Sequence, residues 1–190
     1  RVPIDTPAIQ GSINLVGARI DDITLSKYRQ TIAKDSPPVR LFAPGGTKAA
    51  YFASLGWGAQ GIEVPGPATV WTASGDKLTP STPVTLSWSN ATGQSFRIEY
   101  SIDTDYLITA KQTIANTGAA PVTASSFALI DRLGTPTDPH EKDSWTIHVG
   151  PTGYLGDKSV FDVDYDDVEE AADRSIRYNS AAWLGFTDKY

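Results

Sequence analysis

The chain has 190 residues, 40% hydrophobic and 20% charged, which is enough for one domain of ordinary size and too apolar for intrinsic disorder. Its 16 Lys and Arg against 22 Asp and Glu leave a net charge of -6, so no cationic surplus exists to displace counterions from a phosphate backbone, and nucleic acid is not an expected partner. Cysteine is absent, which removes disulfide frameworks, thiolate metal sites and cysteine nucleophiles together.

Methionine is absent as well, and the expectation is a piece cut from a longer polypeptide. No run approaches the roughly 18–20 apolar residues that span a bilayer, and no signal peptide heads the chain. In chain order, residues 9–15, 20–25, 39–42 and 51–55 read as strands, and residues 58–70 as a long surface loop. Val84, Leu86 and Trp88, then Phe96, Ile98, Tyr100 and Ile102, alternate with polar residues around an Asn90 to Gly93 turn. Residues 84–103 therefore predict an antiparallel hairpin with one buried face. Residues 106–116 and 121–133 predict a second pair around the 116–121 turn, with apolar residues on both faces as in strands between two packed layers.

Further strands are expected at residues 145–149 and 160–163. Only two stretches suggest helix. Residues 165–172 carry acids in a first turn, where they complement the helix dipole. Residues 181–190 read as a short amphipathic element with Trp183, Leu184 and Phe186, although Gly185 lowers helix propensity. Many short strands without long helical patterns between them point to an all-β sandwich.

The side chains offer little catalytic chemistry. Asp162, Asp164 and Asp166 fall at the first three ligand positions of an EF-hand loop, but Asp167 stands where the turn needs Gly and Asp173 where a bidentate Glu belongs. A solvated strand face accounts better for that run. His140 and His148 have no metal-site spacing, and His148 reads as a satisfied or exposed strand histidine. No GxSxG, P-loop or GxGxxG motif is present. Trp57, Trp71, Trp88 and Trp145 sit in or beside strands, where a core role outweighs a sugar-stacking one.

A colinear series of strings adds to this reading. Asp5-Thr6-Pro7-Ala8-Ile9-Gln10-Gly11 runs into Val16-Gly17-Ala18-Arg19-Ile20-Asp21-Asp22-Ile23, followed by Ser36-Pro37-Pro38-Val39-Arg40-Leu41 and Asn116-Thr117-Gly118-Ala119-Ala120-Pro121-Val122. Gly150-Pro151-Thr152-Gly153, Val163-Asp164-Tyr165-Asp166-Asp167 and Trp183-Leu184-Gly185-Phe186-Thr187-Asp188-Lys189-Tyr190 come next. Together they resemble the periplasmic domain of the YidC/Oxa1/Alb3 family of membrane protein insertases, over nearly the whole chain.

The resemblance implies a large antiparallel β-supersandwich, galactose-mutarotase-like, with short helical elements near the C-terminus and residues 1–190 as one periplasmic domain. It implies a bacterial inner-membrane protein, held by flanking transmembrane helices, that inserts and folds membrane proteins without nucleotide hydrolysis. The implied partners are nascent membrane proteins and the translocon subunits SecD, SecF and SecYEG; no catalytic residue, metal or cofactor is implied. Residues 176–190 are expected to lead toward the next transmembrane helix, with Ile176, Tyr178, Trp183, Leu184, Phe186 and Tyr190 as the functional segment. The same residues would equally serve to cap the sandwich core. The alternative is a carbohydrate-binding or aldose-epimerase-like sandwich, because fold alone does not fix function.

Overall fold

In β8 (Gln94–Ile102) every even-numbered residue is buried, and β7 (Val84–Ser89) lies antiparallel to it with Trp88 opposite Phe96. The turn between them is held by Asn90, whose Oδ1 accepts from the Thr92 and Gln94 amides at 3.1 and 2.9 Å, a side-chain mimic of a backbone turn. The computed structural model describes residues 1–134, 148–170 and 178–187. The chain divides into two compact units, Arg1–Leu133 and Gly134–Tyr190.

The first unit has two antiparallel sheets. One runs in the order β1 (Val2–Asp5), β2 (Ile9–Asn14), β3 (Arg19–Arg29), β5 (Tyr51–Ala59) and β10 (Ala124–Arg132), with β4 (Pro38–Phe42) also on β3. The other runs β6 (Thr72–Ala73), β7, β8, β9 (Ile108–Asn116). Ile4, Ile13, Ile20 and Trp57 of the first sheet and Val84, Leu86, Phe96 and Ile98 of the second share one hydrophobic cluster. Trp57 meets Phe96 edge-on, with ring centroids 5.2 Å apart. Hydrogen bonds also cross between the layers, from Tyr100 Oη to the Ala18 carbonyl at 3.3 Å and from Gln112 Nε2 to the Gly56 carbonyl at 2.9 Å. The fold is thus an all-β sandwich, as the alternation implied.

Three expectations change. The strands at residues 106–116 and 121–133 are not partners: β9 spends its whole length on β8, from Gln94↔Asn116 to Ile102↔Ile108, while β10 pairs with β5 in the opposite sheet. The 117–123 connection is a crossover between layers, pinned where the Thr117 amide donates to the Gly93 carbonyl and the Gly118 amide to Asn116 Oδ1. Nor does β10 lie between two layers, since Phe127 and Leu129 are exposed; the Phe127 ring instead lies over Gly56, where a Cβ would come within 2.5 Å of it. Third, the loop expected at residues 58–70 begins inside β5 and turns Ile62 and Val64 against the core.

Burial pushes the Tyr100 hydroxyl well above its ordinary value of 10.0. The native state keeps this proton where the unfolded chain has lost it, so the contribution is whole below about pH 10 and fades as pH rises, at up to about 1.4 kcal/mol per pH unit. Urea unfolding at pH 8 and 11 should show a steeper loss for the parent chain than for Tyr100→Phe; equal losses would refute this role.

In the second unit, β11 (Gly150–Leu155) is the middle strand of a three-stranded antiparallel sheet between β12 (Lys158–Val160) and β13 (Ala181–Thr187). The expected helix is present as α1 (Tyr165–Glu170). Its acids have a specific use: Asp164 Oδ1 accepts from the Asp167 amide at 2.9 Å and Asp167 Oδ2 from the Asp164 amide at 3.2 Å. That reciprocal pair satisfies two amide donors at the helix start. The strand expected at residues 160–163 ends at Val160, and Phe161 is exposed beyond it. Of the strand expected at residues 145–149, residues 145–147 lie outside the described residues. No helix among the described residues is long and apolar enough to cross a membrane.

Candidate functional site

Within the segment expected to carry function, residues 181–187 form a strand and not a helical element. β13 pairs antiparallel with β11 from Gly150↔Thr187 to Tyr154↔Trp183, and the register shifts between Tyr154 and Leu155, where Ala181 becomes the partner. The extra residue bends the strand locally. The cause is legible in two glycines. Gly185 discourages helix, and a side chain at Gly153, opposite Leu184, would come within 2.7 Å of the Trp183 carbonyl. Glycine at that position lets the two backbones approach. The β11–β12 hairpin closes through the two-residue turn Gly156-Asp157, with Gly156 at φ 68°, the first central position where such turns favour glycine.

Of the six expected residues, Tyr178, Trp183, Leu184 and Phe186 are described, while Ile176 and Tyr190 lie outside the described residues. Trp183 and Leu184 are adjacent in β13, so they project to opposite faces of the sheet; both are exposed, at 50% and 52%. Trp183 stands opposite Tyr154, whose hydroxyl donates to the Asp157 carbonyl at 3.0 Å. Phe186 is half-buried and stacks on Tyr165, centroids 6.3 Å apart and planes within 9°. Tyr178 stands by the hairpin turn, its Cδ1 3.9 Å from where a Gly156 Cβ would be. The strand thus divides its apolar residues: Phe186 anchors to α1, and Trp183 and Leu184 face outward.

At the far end of β13 the chain is tied by His148, a feature that sequence spacing did not reveal. Its Nε2 lies 2.9 Å from the Val163 carbonyl and its Nδ1 2.7 Å from Thr187 Oγ1. A carbonyl only accepts, so Nε2 donates to Val163, while Nδ1 shares a hydrogen bond with the Thr187 hydroxyl, which also lies 3.3 Å from the Gly150 carbonyl. The Gly150 amide donates to the same Thr187 oxygen at 3.2 Å. His148 is satisfied, one of the two readings expected, but it stands outside any strand, and it joins the segment before α1 to the last residue of β13. The ring is used up in this bridge.

Of the four tryptophans weighed for sugar stacking, three pack into the core. Trp57 and Trp71 are buried and stack with centroids 6.2 Å apart, and Trp88 packs against the same core. Trp145 and His140 lie outside the described residues. Among the described residues, His, Asp and Glu side chains nowhere gather in threes that could hold a metal ion.

The family model described as the YidC periplasmic domain matches residues 1–190. The chain belongs to this family. A membrane protein insertase YidC of Zymomonas mobilis is 42% identical over 191 residues, covering 100% of the chain and 32% of its own length. Proteins of the same name from Nitrobacter hamburgensis and Rhizobium etli are 45% and 44% identical, again over 100% of the chain and 31% and 32% of theirs. The chain spans about a third of the length of these relatives. What belongs to the YidC periplasmic domain here is thus the sandwich, the acidic helix cap and the β13 edge.

Proposed function

We propose that residues 1–190 form one non-catalytic domain on the periplasmic face of the bacterial inner membrane, held there by transmembrane helices elsewhere in the parent polypeptide. In this reading the domain supports insertion and folding of inner-membrane proteins, touching nascent membrane segments and the SecD, SecF and SecYEG subunits. The observation that carries it is the family match over the whole chain, together with relatives named as insertases. Within the domain, residues 176–190 are the segment proposed to matter most. Support comes from the exposure of Trp183 and Leu184 on a strand anchored at Phe186 and Thr187, since a rigid element presenting aromatic and aliphatic side chains suits contact with a partner.

Depletion-rescue in cells tests this with two full-length variants, one lacking residues 20–150 and one with residues 176–190 scrambled, each checked for accumulation in the membrane. The expected result is that the scramble fails to restore growth and insertion of a model membrane substrate, while the deletion restores both. Full rescue by both variants would remove the domain from insertion altogether.

A further inference from the structure

An exposed sheet edge offers unpaired amides and carbonyls to any second strand, and folded proteins guard such edges by shortness, by Pro or Lys, by bulges or by cover. The first unit guards all its edges but one. β1 is four residues long, contains Pro3 and is covered on its free side, where the Asp5 amide donates to the Leu78 carbonyl and the Leu78 amide to the Pro3 carbonyl. β4 opens on Pro38 and carries the exposed Arg40, β6 has only two residues, and β9 carries the exposed Lys111. β10 has none of these devices. It is nine residues long, without Pro or Lys, and its register with β5 runs unbroken from Ala124↔Ala59 to Arg132↔Tyr51. No strand among the described residues lies on its other side.

The side chains of β10 add a pattern to this open edge. Ser126 stands opposite the core residue Trp57, so Ser126, Ala128 and Ile130 share the inner face, and Ser125, Phe127, Leu129 and Asp131 alternate onto the outer one. Phe127 and Leu129 are 52% and 47% exposed there. The outer-face string reads polar, apolar, apolar, polar, the same in kind from either end. A two-fold rotation about Ala128 therefore lays the strand on itself. Antiparallel to a second copy, Phe127 stands opposite Leu129 of the other chain and Ser125 opposite Asp131, and each pair occurs twice. The serine hydroxyl can donate to the carboxylate, and no charge meets a like charge, since Arg132 falls opposite Ala124. Slipping the pair by two residues puts either Leu129 on Ser125 or Phe127 on Asp131, so the side chains select one register.

From this we infer that the partner β10 fits is a second copy of this chain, and that the domain self-associates by antiparallel β10 pairing centred on Ala128. The join carries the sheet from one copy into the other and removes apolar area of Phe127 and Leu129 from water in both. A foreign strand could use the same main-chain groups, but the symmetry of the outer-face string would then serve nothing. The inference does not depend on the proposed role in insertion.

Sedimentation equilibrium of the 190-residue chain over a concentration series is the test. A monomer–dimer equilibrium is expected, weakened about tenfold or more by Leu129→Lys and by Phe127→Glu. Mixed together, the two variants should associate about as well as the parent chain. The new cation of one then stands opposite the new carboxylate of the other, while the second Phe127–Leu129 pair stays intact. Both positions are exposed, so the thermal midpoints should match the parent's. If Phe127→Glu unfolds early, Ala128→Cys decides in its place: the chain has no other cysteine, and the two-fold brings the two thiols together. Under a mild oxidant it should give a disulfide-linked dimer, whereas Ser126→Cys, opposite Ile130, should not. A chain still monomeric at about 1 mM, where even millimolar affinity would show, overturns the inference and leaves the edge to a strand of another protein. A dimer that Leu129→Lys leaves intact, a mixture no better than its components, or equal cross-linking from Ser126→Cys overturns it as well.

Discussion

Phe96→Ala is expected to lower the unfolding free energy of the chain by about 3–5 kcal/mol, the cost of deleting a fully buried aromatic ring. Phe96 is 0% exposed. It reaches both sheets, with Trp57 at 5.2 Å from the opposite layer and Trp88 at 5.7 Å beside it on β7. Trp57 cannot follow the vacated volume without breaking its own stacking on Trp71. The cavity therefore stays open and adds to the lost transfer free energy. Phe96→Leu should cost less, about 1–2 kcal/mol, because most of the volume is kept. Urea unfolding of both variants checks this, and a loss near 1 kcal/mol for the alanine would mean that the layers close over the hole.

The hairpin around Asn90 was legible because both signals agreed: strict alternation fixed the faces, and Asn90 to Gly93 supplied the turn. The crossover at residues 117–123 was not. Turn residues announce a change of direction but not which strand receives the chain, and two strands close in sequence need not share a sheet. The β13 strand was hidden for a different reason. Trp183 and Leu184 are neighbours on opposite faces, so the segment has no period-two stripe, and the register shift near Ala181 disrupts what alternation remains. Only Gly185 argued against helix. The acids at residues 164–167 were visible as a charge run, yet their function as a reciprocal helix cap needed only the three-residue spacing of Asp164 and Asp167, the pattern known from capping boxes.

Asp21 yields the second large effect. A strand at residues 20–25 with strict alternation would bury Ile20 and expose Asp21, but both are buried. The register between β2 and β3 shifts from Gly11↔Ile23 to Ile13↔Ile20, and that irregularity turns the aspartate inward. Gly11 permits it, since a side chain there would run into the Asp22 carbonyl at 1.9 Å. The buried carboxylate is met by the Arg1 guanidinium and by Asn14 Nδ2 at 3.2 Å. Arg1 also donates from Nε to Ser12 Oγ at 2.7 Å, and so ties the start of β1 across β2 to β3. Removing one partner of a buried pair typically costs about 3–5 kcal/mol because the other charge is left uncompensated. Arg1 is 37% exposed, so water reaches the vacancy and the expected loss for Arg1→Ala is nearer 2–3 kcal/mol, the range of a hydrogen bond to a charged group. Replacing both residues, Arg1→Leu with Asp21→Leu, should recover most of that loss, since an apolar pair leaves no charge stranded. A double-mutant cycle by urea unfolding measures the difference. Additive single and double losses would mean that the two charges are not coupled, and that β1 is held by its ladder to β2 and by the bond from the Leu78 amide to the Pro3 carbonyl at 2.9 Å.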